Sequence, residues 1–245
     1  MKIYIMLLSM LCITAYGMKS NQQKYAIVQR KAAQHMLSKL LFRDNERVLC
    51  IGDDYGEIIK KKVYVRELYR TEAGTLSMME KAVLEYDKII SFVCLDVVRK
   101  PQEIFNNSAR LLKWDGRFCA IIPYYKSPYL RIHYQTLTNN RWKNRYDKNM
   151  EVEFFGSKQM KSWLRKAGFD NVECRIVNKA FRFKTRAKFA RWIMDSREQF
   201  VGISQKYHQK FVNDVVNNYM QRYPLAEDRS IKLYLPYMIM SGYKL

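Results

Sequence analysis

The chain has 245 residues, 48% of them hydrophobic and 14% aromatic, which excludes a disordered polymer and allows one α/β domain with a helical elaboration. Its formal net charge is +21, from 44 Lys+Arg against 23 Asp+Glu, and no internal repeat or low-complexity tract is present. Such a charge suits an anionic small molecule, nucleic acid or an acidic membrane surface, with a lysine-rich solvated face as the plain alternative.

Met1 to Gly17 has the layout of a secretory signal peptide. Lys2 supplies the positive start, and Ile3 to Thr14 is an apolar run too short to favour a bilayer span. Ala15-Tyr16-Gly17 puts small residues at the two positions a signal peptidase reads. The expectation is a secreted or extracytoplasmic protein with its domain at 18–245 and no transmembrane segment after cleavage. A start at Met18 would instead leave the protein in the cytoplasm. Cleavage leaves Cys50, Cys94, Cys119 and Cys174, each in a segment read as a strand and none at metal-ligand spacing, which suits buried thiols.

Gln22 to Phe42 reads as a helix, with Ala32, Ala33, Met36, Leu37 and Leu40 on one face. Arg47 to Ile59 follows. In it an apolar run, Val48–Ile51, breaks into Gly52-Asp53-Asp54-Tyr55-Gly56 and resumes as a helix-compatible segment. A buried parallel strand turning into a helix has this form, and the glycines permit a tight turn and close approach of a ligand to the helix N-terminus. A turn with no ligand fits the same residues. Val63-Tyr64-Val65 is a candidate second strand with Glu67 at its end, and Ser77–Leu84 a helix opened by the Ser77/Glu80 capping box. Lys88–Cys94 is a third strand, Pro101–Leu112 a helix, Trp114–Arg117 a turn with Gly116 left-handed, and Arg117–Ile122 a further strand.

Residues 124–150 mix Tyr124, Tyr125, Tyr129, Tyr134, Trp142 and Tyr146 with Lys126, Arg131, Arg141, Lys143 and Arg145, as nucleic-acid stacking surfaces do. His133 has no second ligand placed to share a metal. A helix from Gly156-Ser157 ends at Gly168, and a strand covers Val172–Val177. Helices follow from Thr185, with Phe189, Trp192 and Ile193 inward, and over Tyr207–Tyr223. Ile231–Tyr243 alternates as a closing strand.

The stretch from Cys50 to Gly56 resembles the first motif of class I S-adenosylmethionine-dependent methyltransferases, an acidic residue followed by x-G-x-G-x-G. Gly52 and Gly56 match the first and third glycines, Cys50 replaces the acid and Asp54 the middle glycine. Lys88–Val98 resembles the family's fourth strand and following loop. Leu111–Phe118 resembles its helix-to-strand junction, and Lys166–Phe169 its next one. In order, the resemblance spans Gln22 to Leu245 and is nearest the trans-aconitate and malonyl-carrier-protein methyltransferases.

The resemblance implies a Rossmann-like α/β fold: a mostly parallel sheet, one closing antiparallel strand and helices on both faces. Helical lids would lie at 124–150 and 185–223. It further implies S-adenosylmethionine as cofactor, held by Tyr25 and Gln29 of the covering helix, by Gly52, Asp53, Asp54 and Gly56, by Glu67 on the ribose, and by Cys94 and Leu95 at the substrate side. Cys50 and Cys94 would end neighbouring strands, so an oxidising compartment leaves a bridge open. The implied reaction is methyl transfer by a monomer to a small molecule, with a carboxylic acid among the candidates. Cys50 and Asp54 leave open an inactive binding protein on the same scaffold, and the charge leaves open a nucleic-acid binder.

Overall fold

In the computed structural model, residues 31–51, 67–71, 86–92, 101–124, 126–146, 155–195 and 203–245 are described. Six strands form one sheet in the order β2-β1-β3-β4-β8-β5: β1 Arg47–Ile51, β2 Glu67–Thr71, β3 Tyr86–Phe92, β4 Leu112–Pro123, β5 Phe169–Val177 and β8 Tyr237–Lys244. The β2-β1-β3-β4 half is parallel, and β8 runs antiparallel between β4 and β5. A second sheet pairs β6 Ala180–Phe183 with β7 Ile231–Tyr234. The fold is thus the expected Rossmann-like α/β arrangement, with β1 in the sheet interior.

Strand β1 is apolar without alternation because the sheet is buried on both faces. Successive side chains feed two different cores. Leu49 and Ile51 join Ile89, Phe118, Ala120, Ile122, Met238 and Met240. Val48 and Cys50 join Ile90, Phe92, Cys119, Ile121 and Tyr237 on the opposite face. The first face is covered by α2 (Pro101–Leu111), through Ile104, Phe105 and Ala109, and by α4 (Ser157–Lys166), through Met160 and Leu164. Residues 31–37, helix α1, cover the other face with Ala32, Ala33, Met36 and Leu37, the residues their spacing selects.

A third core gathers α3 (Pro128–Leu137), α5 (Arg186–Met194), α6 (His208–Arg222) and the β6–β7 pair. Ser127 caps α3 by accepting from the Leu130 N–H, with Pro128 in its first turn, and Thr185 caps α5 the same way from Lys188. The Tyr219 hydroxyl of α6 accepts from the Tyr234 N–H at 2.8 Å and donates to the Lys232 carbonyl at 2.9 Å, fastening helix to strand. Burial pushes that hydroxyl's pKa well up. Tyr129 and Trp142 are fully buried here, and the Trp142 indole donates to Asp214 at 2.8 Å. These two aromatics build the core and are closed to stacking on a nucleic-acid base. His133 packs edge-on against Phe211.

Three local expectations are corrected. Ile231–Tyr243 is two strands in two sheets: Pro236 separates β7 from β8, and a prolyl ring cannot donate to either ladder. The junction at Trp114–Arg117 lies inside β4, where the register against β3 slips, and Asp115 rather than Gly116 takes the left-handed backbone at φ 59°. Gly116 is needed for space, since a Cβ there would stand 2.7 Å from the Lys113 carbonyl oxygen. The strand beside β1 begins at Glu67, so Glu67 stands at its amino end, paired with Arg47. Val63–Val65 and Ser77–Leu84 lie outside the described residues. Gly168, by contrast, ends α4 at φ 91° as expected.

Candidate functional site

Parallel sheets bind ligands beyond the carboxyl ends of their strands, where the following loops diverge. In this chain that edge runs through Thr71 of β2, Ile51 of β1, Ser91 and Phe92 of β3, and Pro123 of β4, with Ile51 in register with both Thr71 and Ser91. The motif residues Gly52, Asp53, Asp54 and Gly56 follow directly after Ile51, and Cys94 and Leu95 follow β3 by two and three residues. All six lie outside the described residues, as do Tyr25 and Gln29 ahead of α1. Glu67 is placed in the sheet but at the opposite edge. Four residue steps separate it from Thr71, about 13 Å along the strand. The acidic residue next to the ligand edge in sequence is Glu72, directly after Thr71.

The amino edge of the sheet carries charge with a structural use. Lys88 of β3 forms a buried ion pair with Glu46, ahead of β1, and its ammonium also lies over the Phe42 ring. Next to it Asp87 accepts from the Arg47 N–H at 2.8 Å and from Lys113 at 2.8 Å. Partial burial acts to raise the Asp87 pKa, but the Lys113 and Arg47 hydrogen bonds outweigh it and hold the carboxyl below its ordinary value. These contacts join the starts of β1, β3 and β4.

At the carboxyl edge, β8 enters the sheet opposite Pro123. Tyr237, its first residue, is 4% exposed and faces the α1 side. Its hydroxyl is buried without a hydrogen-bond partner among the described residues, and burial pushes its pKa to about 12. The His35 ring of α1 meets the Tyr237 ring edge-on, centroids 6.2 Å apart. Burial, then Lys179 and Lys39, lowers the His35 pKa. Periodicity in the sequence does not mark these residues, because 202 positions separate His35 from Tyr237 and only the β4–β8 pairing brings them together.

Cys50 and Cys119 are buried, and burial pushes the Cys119 thiol to about 12. Cys174 is partly exposed, its thiol pushed to about 11 by burial. Cys94, and with it the Cys50–Cys94 pairing, lies outside the described residues. Among the described residues no cluster of three His, Cys, Asp or Glu could hold a metal ion, and no helix is long and apolar enough to cross a membrane.

Solved structures similar to this chain share its fold. One, from Bacillus halodurans and carrying a provisional methyltransferase assignment, is 12% identical over 86% of this chain and 98% of its own, with a TM-score of 0.56. The YcgJ protein of Bacillus subtilis is 16% identical over 88% and 98%, TM-score 0.58. Phosphoethanolamine N-methyltransferase 2 of Haemonchus contortus, solved with S-adenosyl-L-methionine, is 11% identical over 87% of this chain and 52% of its own, TM-score 0.52. No family model matches the sequence, and no curated protein matches it. The chain has the fold of the class I S-adenosylmethionine-dependent methyltransferases.

Proposed function

We propose that the protein binds S-adenosylmethionine beyond the carboxyl ends of β1 and β2 and directs methyl transfer to a small acidic molecule. The observation that carries this reading is the position of the glycine stretch: Gly52–Gly56 leaves an interior parallel strand at the edge where this fold takes its ligands. The residues present suit that cofactor. Backbone N–H groups near Gly52 and Gly56 can approach it closely, and Asp53 and Asp54 can face its ammonium or sulfonium. With Glu67 at the amino end of β2, the carboxylate we assign to the ribose is Glu72, which follows Thr71 in the sequence. A bound sulfonium supplies an already activated methyl group, so the protein's task is to hold the acceptor in line and exclude water. No catalytic acid–base triad is required of it.

The competing reading is a methyltransferase-fold binding protein without turnover, favoured by Cys50 and Asp54 in place of the family's acid and glycine. Export by the Met1–Gly17 segment would add to it by removing the protein from cytosolic cofactor. The nucleic-acid alternative loses Tyr129 and Trp142 to the core and keeps the net charge and the exposed Tyr134.

Calorimetric titration with S-adenosylmethionine separates these readings, and two variants locate the site. Losing a hydrogen bond to a charged group costs about 1.5–3 kcal/mol, roughly ten- to a hundredfold in affinity. Glu72→Ala should weaken binding by about that factor and Glu67→Ala should leave it unchanged. The reverse result would place the cofactor at the wrong edge of the sheet.

A further inference from the structure

The carboxyl edge between β4, β8 and α1 holds a polar group whose hydrogen bonding is unaccounted for. Tyr237 is 4% exposed, and its hydroxyl meets neither solvent nor a partner among the described residues. Folded proteins pair nearly all such groups, so an exception calls for a physical reason, a bound ligand among them. Its surroundings fit an anion. The Leu235–Tyr237 segment is clamped on both sides: the Leu235 N–H donates to the Lys179 carbonyl at 3.1 Å, and the Tyr124 N–H donates to the Pro236 carbonyl at 2.9 Å. This clamp brings Lys179 to the corner, where its charge and that of Lys39 act on His35. Both of these charges are positive, Lys39 from the turn after α1 and Lys179 from the β5–β6 junction. The group facing it from β8 is the neutral Tyr237 ring.

We propose that the Tyr237 hydroxyl, the His35 imidazole and Lys179 form a carboxylate-binding corner at the carboxyl edge of β4 and β8, which seats the acidic group of the methyl acceptor. A tyrosine hydroxyl and a neutral imidazole can each donate to a carboxylate oxygen, and a lysine offsets its charge. The corner lies three strands from β2 in the sheet order, with β1 and β3 between, so its occupant would face the cofactor edge from the β4–β8 side. Its role as an acceptor site rests on the methyltransferase reading. Its capacity to bind a carboxylate does not.

The test uses the full chain and succinate as probe at constant ionic strength, with inorganic phosphate as a second arm. The chain has three histidines, so the His35 ring signal is assigned in the NMR spectrum by a His35→Asn variant. Succinate should shift that signal saturably and raise the His35 pKa, because a bound anion opposes Lys179 and Lys39. Phosphate should do so more weakly. Tyr237→Phe should weaken succinate binding about tenfold or more. It should leave the melting temperature equal or higher, since it deletes an unpartnered hydroxyl, and leave S-adenosylmethionine affinity unchanged. Lys179→Ala should also weaken succinate.

An unmoved His35 signal, a response to phosphate alone, or unchanged succinate affinity in Tyr237→Phe would overturn the proposal. So would a fall in its melting temperature, which would reveal a structural partner for the hydroxyl. A normal succinate response in a protein that does not bind S-adenosylmethionine would keep the corner and remove only its role as an acceptor site.

Discussion

The buried pair Glu46–Lys88 gives a stability prediction whose magnitude follows from burial. Glu46 is 8% exposed and Lys88 7%, and the second Glu46 oxygen is buried without a partner among the described residues. Glu46→Gln leaves the Lys88 ammonium buried against a neutral amide and the Phe42 ring, with the Asp87 carboxylate as a weaker remaining opposite charge. Breaking a buried pair by removing one charge costs about 3–5 kcal/mol, against a total stability on the order of 5–15 kcal/mol. Replacing both partners with apolar residues of similar size is commonly neutral or stabilising. Urea titration of the wild type, Glu46→Gln, Lys88→Met and the Glu46→Leu/Lys88→Met double variant measures each case. Each single change should lower the midpoint sharply, and the double variant should recover to within about 1 kcal/mol of wild type. A loss under about 1 kcal/mol for Glu46→Gln would mean that water reaches the pair, and would refute the assignment of a buried contact there.

Three further outcomes are expected. Gly116→Ala should destabilise the fold by about 1–3 kcal/mol, because its Cβ meets the Lys113 carbonyl oxygen at 2.7 Å; equal urea midpoints would contradict the tight β4 geometry. Asp87 has a lowered folded pKa, so its contribution is present above the unfolded value near 4 and is lost as pH falls through the folded one. Asp87→Asn should therefore be less stable at neutral pH and show a shallower decline below about pH 4, and parallel pH profiles would count against the Lys113–Asp87–Arg47 contacts. In the native cell, N-terminal sequencing of exported protein should find Met18 first, after cleavage behind Gly17, and an N-terminus at Met1, or at Met18 on protein in the cytosol, would dismiss the export reading.

The elements legible in the sequence are those whose pattern is local. Val48–Ile51 has no polar interruption because it is buried on both faces, and Ala32, Ala33, Met36 and Leu37 fall on one face of α1. The errors lie where pairing decides. Glu67–Thr71 contains Glu67 and Arg70 and looks less like a strand than Val63–Val65, yet it is the segment that pairs along β1. Ile231–Tyr243 keeps an apolar pattern through Pro236, although the chain changes sheets there. Asp115 takes the positive φ assigned to Gly116, since Asp tolerates that region and the glycine is needed for clearance. Aromatics interleaved with arginines read as a stacking surface at 124–150, but Tyr129 and Trp142 turn inward, and Arg141 and Arg145 lie over the Trp142 ring. The candidate cofactor residues were legible as a motif after a strand, and the structure adds the edge at which that strand ends.

The central claim is that this edge binds S-adenosylmethionine, and direct calorimetry on the wild-type chain and on Asp54→Gly tests it. Saturable one-to-one binding by wild type is predicted, tightened when Asp54→Gly restores the family's glycine. Absence of binding by both proteins, with each shown to be folded, would contradict the account: the scaffold would remain a methyltransferase fold, with its cofactor function gone.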